Sequence, residues 1–396
     1  MRLLVHDYSG HPFQAELSRA LARRGHEVDH THCASYVSGK GRLHVSPSDP
    51  ATLTFTAIPL GSDFAKYQFV KRIGQEIQYA WLFVRHVRMV CPDVVLMCNT
   101  PLIANFLISV WMLLTRQHSV FWHQDVYSRA IALELRRRVP IVSRLLVLAT
   151  DQMERFIAAQ ARQVVVIADT FLPVHDRWGT PRDKITVQPN WAPVADIPCL
   201  PKVGNRWAAE HGLADRRVVL YSGTVGLKHD VEIFGAFQEL LQARLGDCAL
   251  VVVTSGEAAA HLRDSAPGIL VLPFQEFAVL PEVFASADVL LTILEADASD
   301  FSVPSKTLSY LCAGRPVLAL VPHSNPAFAI VREAGGLPFD VADCQLSAVA
   351  DEVARLLMDA DELARRGARA RAYAERTFDI AAIADTFEGL LICSKA

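Results

Sequence analysis

The sequence predicts an α/β protein made of two Rossmann-like, doubly wound parallel-sheet domains facing each other across a cleft. Three observations lead there. Strands alternate with helices nearly throughout the 396 residues, the pattern of a doubly wound sheet. That length exceeds what one hydrophobic core keeps growing to. A proline-rich break after residue 190 is then followed by a second start of the same pattern.

In the first half, RLLVH from Arg2 reads as a short buried strand and DYSGHP as a turn. PFQAELSRALARRG follows as a helix, with Phe13, Leu17 and Leu21 on one face and Gly25 as its stop. HEVDHTH, DVVLMC, SVFWH, QVVVIA and KITVQPN read as further strands, with a helix from Pro101 between the second and third. These complete a domain over 1–190. The stretch 191–204, with Pro193, Pro198, Pro201 and Gly204, reads as a linker. A second domain spans 205–375. RVVLYSG, CALVVVTSG, GILVLPF, DVLLTIL and RPVLALV are its strands, and DVEIFGAFQELLQARL and SKTLSYLCAG are helices. The tail 376–396 is helical and is expected to pack back on the first domain. Ligands of such folds bind at the carboxyl ends of the strands.

A hydrophobic share of 51% supports large cores, and a net charge of −3 gives no electrostatic footprint for nucleic acid. The eight cysteines are scattered, without a CxxC pair or zinc spacing, which suits a reducing compartment. Asp7 arrives too early for a signal peptide, and ANFLISVWMLLT, at twelve residues, is too short to span a bilayer. A cytoplasmic protein is expected, peripheral on the inner face of the plasma membrane at most.

Three places in the second half suit a phosphate-bearing ligand. YSGTVGLKHD puts Gly223 and Gly226 after a strand and Lys228 just before a helix, where backbone and charge can approach an anion. The spacing fits an ordinary glycine turn equally. In FSVPSKTLSYLCAGRPV, Pro304 and Ser305 suit a helix start and Lys306 adds charge to its free amides; a plain capped helix explains the same residues. Phe274, after the strand GILVLP, could line a slot for a base, or simply pack in the core.

The order of SGTVGLKHDVE, LPEVFASADVLLTIL and SVPSKTLSYLCAGRPVLAL, with NWAP after ITVQP, resembles the family-4 retaining glycosyltransferases. The opening HDYSGHPFQAELSRALARRGHEV looks like the first strand–loop–helix of the same enzymes. Within them the chain is similar to a bacterial subgroup that adds an amino sugar, such as N-acetylfucosamine, during O-antigen or capsule assembly. The resemblance implies a GT-B fold, no metal and no cofactor, a nucleoside-diphosphate-sugar donor and a glycan or lipid-linked acceptor. It places Lys228 at the donor diphosphate, Ser305 and Lys306 at phosphate or sugar, and Gly10 where backbone approaches the donor. It puts His11, His123, Gln124 and Asp125 beside the sugar or the acceptor.

One feature departs from the family. Aligned on AGRPV, Phe301 and Ser309 stand where the family has the glutamates of its Glu-x7-Glu pattern. Asp300 is placed to supply the lost sugar contact, and Ser309 binds a ribose hydroxyl less strongly than a carboxylate does. Retention at the anomeric carbon is implied, and no side chain stands out as a nucleophile for double displacement. A front-face substitution follows as the expectation, with the departing phosphate taking the acceptor proton, Lys228 stabilising the leaving group and His123 orienting the substrates.

The segment FAKYQFVKRIGQEIQYAWLFVRHVRMV reads as a helix with Val70, Ile73, Ile77, Trp81, Val84 and Val87 in one stripe. Lys66, Lys71, Arg72, Arg85 and Arg88 accompany it, and LELRRRVPIVSRLL sets Arg136, Arg137 and Arg138 beside Ile141, Val142 and Leu145. Either the stripe is core and the charges a solvated face, or the two segments dock on an anionic membrane. Three rivals remain. A dehydrogenase lacks its GxGxxG in DYSGHPF. A nucleotide-sugar epimerase would leave the basic apolar helices without purpose. A non-catalytic nucleotide-sugar-binding protein would be consistent with Ser309.

Overall fold

Two separate all-parallel sheets, of seven and six strands, organise the computed structural model. The structure describes residues 1–36, 40–61, 69–129, 131–132, 140–225, 232–294 and 304–395. Two compact units result: Met1–Asn190 together with Asp379–Ala396, and Trp191–Phe378.

The first unit runs β1 (Arg2–Asp7), α1 (Pro12–Arg23), β2 (Glu27–Cys33), β3 (Leu53–Ile58), α2 (Phe69–Val90), β4 (Val94–Cys98) and α3 (Leu102–Thr115). It continues with β5 (Ser119–His123), α4 (Pro140–Gln160), β6 (Gln163–Val166), α5 (Leu172–Trp178) and β7 (Ile185–Val187). The second unit opens with α6 (Arg206–Glu210), β8 (Arg217–Ser222), α7 (Glu232–Leu245), β9 (Cys248–Val253), α8 (Glu257–Ser265), β10 (Leu270–Leu272) and α9 (Leu280–Ala285). Then come β11 (Val289–Ile293), α10 (Ser305–Cys312), β12 (Val317–Leu320), α11 (Pro326–Glu333), β13 (Leu337–Phe339), α12 (Leu346–Met358) and α13 (Ala360–Thr377). The final helix α14 (Ile380–Lys395) returns to the first unit.

The strand orders are β3-β2-β1-β4-β5-β6-β7 and β10-β9-β8-β11-β12-β13. In each sheet the order reverses beside the unit's first strand, between β1 and β4 and between β8 and β11. That is the topological switch point, where connections leave on opposite faces and a crevice opens at the carboxyl ends. The central strands are continuous apolar runs, such as VVLMC of β4 and VLLTI of β11, buried throughout because helices cover both faces. The two-domain α/β class expected from the alternation is the fold observed.

The sequence reading passed over β3 and β13, both at sheet edges. LTFTAI of β3 buries only its two ends, and β13 has three residues. The proline-rich 191–204 stretch is packed rather than loose. Trp191, Ala192 and Ile197 are buried in the second unit. Arg371 donates to the Ile197 carbonyl at 2.8 Å, and Arg315 to the Leu200 carbonyl at 3.0 Å.

Helix α2 divides the stripe read from sequence. Tyr79, Phe83 and Val87 face the core, with Ala80, Gln75 and Glu76 beside them. Of the anticipated stripe, Ile77 and Trp81 are 49% and 60% exposed, while Ile73 and Val84 are half-buried and Val87 lies in the core. Glu76 is buried for a reason. Helix α3 starts after Pro101 without a side-chain cap, and Glu76 Oε2 accepts from the Ile103 amide at 3.0 Å. An acidic group at a helix start meets its free N–H groups and its positive dipole end. Val70 and the cluster Arg136–Val142 lie outside the residues whose side chains are described.

Helix α14 seals the first unit. The Phe387 ring packs 4.5 Å from Trp122 of β5, and Glu388 pairs with Arg24 and His26, each at 2.7 Å. Lys395 reaches Asp93 at 3.1 Å.

Two buried histidines sit on opposite faces of the same sheet, on β1 and β2. His6 packs 4.3 Å from Phe83, and His30 pairs with Ser18 at 2.8 Å. Burial lowers their pKa values to about 3 and about 4. Both stay neutral in the fold and take up protons on unfolding once the pH drops below 6.5. Stability should therefore fall as pH is lowered from 6.5 towards 4, approaching about 1.4 kcal/mol per pH unit for each histidine. Urea unfolding at pH 7.5, 6 and 5 measures this, and His6→Gln should flatten the slope.

Candidate active site

The carboxyl ends of β1, β4 and β5 meet at the first unit's switch point, and each carries a polar side chain into it. Asp7 closes β1. The chain then turns through Gly10, whose φ of +79° suits glycine, and enters α1 at Pro12. A Cβ on Gly10 would lie 2.6 Å from Leu43 Cδ1, so the 40–43 segment packs directly on this turn. The turn is tied to Asp7. Its carboxylate accepts from the Ser9 amide at 3.2 Å, from the His11 amide, and from His11 Nδ1 at 3.2 Å. With the Gln14 amide nitrogen turned toward it, Asp7 accepts two more bonds at 2.6 and 2.5 Å, and Gln14 Oε1 accepts from Asn99 Nδ2 at 3.2 Å.

Asn99 follows β4 in the left-handed region, at φ 48°, a conformation that persists in a non-glycine residue where surrounding contacts impose it. Burial alone would raise the Asp7 pKa, but His11 outweighs it and holds the carboxyl below its usual range. Burial likewise opposes charge on His11, and Asp7 and Asp125 overcome it, raising the imidazole. Asp125, after β5, goes the other way: burial pushes it up to about 6 against the pull of His11 and His123.

His123 ends β5 and is 1% exposed. Its Nδ1 lies 3.0 Å from His175 Nε2, and its Nε2 3.3 Å from Glu154 Oε1. Burial lowers the His175 pKa to about 3. Both ring nitrogens of His123 are thus engaged by protein groups. Glu154 of α4 also accepts from the Tyr127 and Ser128 amides at 2.8 and 3.0 Å and from the Ser128 hydroxyl at 2.5 Å. Gln124 exchanges amide bonds with Asn190 at 3.1 and 2.6 Å. Asn99, Thr100, Asn105, His123, Asp125 and Tyr127 line a narrow hollow beneath these groups.

The second unit builds a cationic site at its own switch point. Lys306, second residue of α10, lies over the Tyr221 ring, its Nζ 3.8 Å from the centroid, and donates to the Tyr221 hydroxyl. Gly223, after β8, has φ +150°, and a Cβ there would stand 3.0 Å from Lys306 Cε and Nζ. Tyr310 pins the turn: its hydroxyl donates to the Ser222 carbonyl at 3.0 Å and accepts from the Ser222 amide at 2.8 Å. Desolvation brings the Lys306 ammonium down to about 7. Ser305 is exposed at the helix start and Ser309 is half-buried one turn on. Phe274 sits apart from Gly223 and Lys306, after β10, where its amide donates to Ser255 Oγ at 3.0 Å. Lys228, Gly226, Asp300 and Phe301 lie outside the described residues.

The structure thus joins Gly223 to Lys306, and His11 to the carboxyl ends of β4 and β5. Sequence reasoning missed Asp7, Gln14, Asn99, Glu154 and Tyr221 as site residues. An aspartate closing a strand four residues before a histidine was the one available signal. Among the described residues, no group of three His, Cys, Asp or Glu side chains is arranged to hold a metal ion.

Residues 11–191 match the model of the glycosyl transferase 4-like domain. Over the whole chain the fold is that of solved glycosyltransferase structures. Sucrose-phosphate synthase from Thermosynechococcus elongatus superposes with a TM-score of 0.71 at 14% identity, covering 98% of each chain. HepE of Anabaena, solved with UDP-glucose, gives 0.66 at 16% identity and 99% of each chain. WaaG, a glycosyltransferase involved in lipopolysaccharide biosynthesis, gives 0.67 at 15% identity, covering 98% of this chain and 99% of its own. No curated protein matches by sequence.

Glu154 holds the post-β5 turn through three donors besides His123. Glu154→Ala should destabilise the chain by about 3 kcal/mol, since buried donors lose a charged acceptor. The shift in urea midpoint measures it.

Proposed function

We propose that this chain is a retaining, metal-independent glycosyltransferase. It moves a sugar from a nucleoside-diphosphate sugar to a glycan or lipid-linked acceptor in bacterial surface-polysaccharide assembly. An amino sugar of the N-acetylfucosamine type is the proposed donor sugar. The observation that carries the reading is the Lys306–Tyr221–Gly223 site at the switch point of the second sheet. It is supported by the glycosyl transferase 4-like match over 11–191 and by the fold shared with HepE, solved with UDP-glucose.

In this reading the second unit holds the donor. Lys306, with Lys228 and the free amides at Ser305, meets the diphosphate, and Gly223 lets the backbone approach it. Phe274 lies along the base, Ser309 meets a ribose hydroxyl, and Asp300 meets the sugar. The first unit supplies groups for the sugar and acceptor: Gly10 and His11 on the first turn, and Gln124 and Asp125 after β5. His123 holds that second turn through Glu154 and so orients the substrates. Charge developing on the leaving diphosphate is met by ammonium and helix amides, and a front-face substitution requires no metal.

The acceptor's lipid anchor agrees with the exposed face of the first unit. Trp81 and Ile77 of α2, Leu114 and Leu113 of α3, and Leu145 and Leu148 of α4 are all exposed. Exposed Lys71, Arg85, Arg88, Arg116 and Arg144 surround them, and none of the carboxylates of these three helices is exposed. Apolar side chains amid cations suit an anionic bilayer surface. No helix among the described residues is long and apolar enough to cross a membrane.

A donor screen with UDP-, GDP- and dTDP-sugars, with and without a lipid-linked acceptor, tests the reading through nucleoside-diphosphate release. Acceptor-dependent release that persists in EDTA is expected. Lys306→Ala should raise the donor Kd about tenfold or more, the loss of one charge-assisted contact. In the unsubstituted chain, donor affinity should weaken as pH rises past about 7, because the Lys306 ammonium then loses its proton. Donor binding without release under any acceptor would favour a non-catalytic binder, with Ser309 as the suspect. Trp81→Ser with Leu114→Ser should weaken co-sedimentation with anionic vesicles about tenfold, two large apolar side chains no longer being buried.

A further inference from the structure

The turn after β8 is fastened at each of its residues. Tyr310 brackets Ser222 through its amide and its carbonyl, at 2.8 and 3.0 Å. The Gly223 amide donates to the Val253 carbonyl at 3.0 Å, and the Val225 amide to Thr254 Oγ1 at 3.3 Å. The Thr224 carbonyl accepts from the Tyr221 hydroxyl at 2.8 Å. That last bond decides what Tyr221 offers to Lys306. A phenol has one proton and two lone pairs. The proton is engaged by Thr224, so the oxygen faces Lys306 as an acceptor, and Nζ donates to it. The same Nζ lies 3.8 Å from the ring centroid. The ring is held firmly, since Tyr221 is fully buried on β8 and packs edge-on against Phe234 of α7 at 5.2 Å. A cation over such a ring face is attracted by its quadrupole, most strongly where water is excluded. Gly223 closes the other side. A Cβ there would stand 3.0 Å from Cε and Nζ of Lys306, so the absent side chain makes room for the lysine. Burial lowers the pKa of Lys306 to about 7, and among the described residues no carboxylate pairs with it.

We propose that Tyr221 is a positioning residue for donor binding: its hydroxyl and ring seat the Lys306 amine beside Gly223, ready for a diphosphate. This rests on the transferase reading and deepens it, by naming the group that places the donor's counter-charge. Two consequences follow from the seat. A lysine side chain has large rotamer freedom in solution. Seated between Tyr221 and Gly223, it is ordered before the ligand arrives, so binding does not bear that ordering cost. The seat is also dry. Near and above pH 7 part of the amine is therefore neutral in the ligand-free chain. An arriving diphosphate favours the charged form, so binding takes up a proton from the buffer onto Nζ. Tyr221 itself stays un-ionised, its hydroxyl raised by burial.

Calorimetry with UDP, GDP and dTDP, in buffers of different ionisation enthalpy slightly above neutral pH, reads affinity and proton uptake together. Tyr221→Phe keeps the ring and its contact with Phe234 but removes the acceptor for Lys306. For the tightest of the three nucleotides it should raise Kd about fivefold. In a Lys306→Gln background the same substitution should change Kd by less than about twofold, because Tyr221 acts through Lys306. Proton uptake should be measurable in the unsubstituted chain and absent from Lys306→Gln. An equal loss from Tyr221→Phe in both backgrounds would mark a merely structural tyrosine and overturn the proposal. An unchanged Kd in the unsubstituted background overturns it as well. Proton NMR of the ligand-free chain judges the seat without a donor. The ε-methylene of Lys306 should resonate upfield of ordinary lysines, shielded by the ring face, and titrate near pH 7. A signal at the ordinary position, titrating in the ordinary lysine range, overturns the seat. A shielded lysine in a chain that binds none of the three nucleotides would instead overturn the transferase reading and leave the seat standing.

Discussion

Everything functional in this molecule depends on parallel strands covered by helices on both faces. A parallel strand must be followed by a crossover, so every strand in a sheet ends on the same edge. Where the crossovers change sides, the loops diverge and leave a crevice. In the first unit that edge collects Asp7, Asn99 and His123 from three strands that are neighbours in space and distant in sequence. In the second it brings Gly223 beside Lys306. The strands carry little chemistry themselves. Their apolar runs make the frame rigid enough for the loops to be placed within hydrogen-bonding tolerance.

Buried carboxylates then fix what the loops do. Glu76, Asp7 and Glu154 are each buried and each accepts backbone amides: at the start of α3, around the first turn, and after β5. A carboxylate in such a place compensates donors that helix starts and tight turns leave unpaired. The same groups set the protonation of their neighbours. Asp7 raises His11, while Asp125, short of donors, is itself raised to about 6. In the second unit the polarity is reversed. Lys306 is desolvated against a tyrosine ring, and its lowered pKa makes it responsive to an arriving anion.

The exposed face of α2, α3 and α4 shows how a sequence pattern can be right in kind and leave orientation open. Ile73, Ile77, Trp81, Val84 and Val87 do recur at helical spacing, yet the core takes Val87 with Tyr79 and Phe83 from the neighbouring stripe and leaves Ile77 and Trp81 exposed. Helix α2 is apolar on two faces, so periodicity alone cannot choose between them. The choice is made by the sheet beneath, where His6 offers its ring to Tyr79 and Phe83, and by the bare start of α3, which calls for Glu76.

The sequence by itself determined the fold class, the order of the buried strands, the glycine turn after β8 and the lysine that opens α10. These depend on local rules: apolar runs of strand length, helix-start chemistry and glycine where φ turns positive. The resemblance carried by its motifs added the candidate residues His11, His123, Gln124 and Asp125. Tertiary structure alone decided which of these are free and which are held. His11 and His123 look alike in sequence, each close to the end of a strand. One meets Asp7 through a single nitrogen and keeps the other, while the second is enclosed by His175 and Glu154. The partners come from distant segments, and a ring's hydrogen-bond capacity is settled only when those segments pack together.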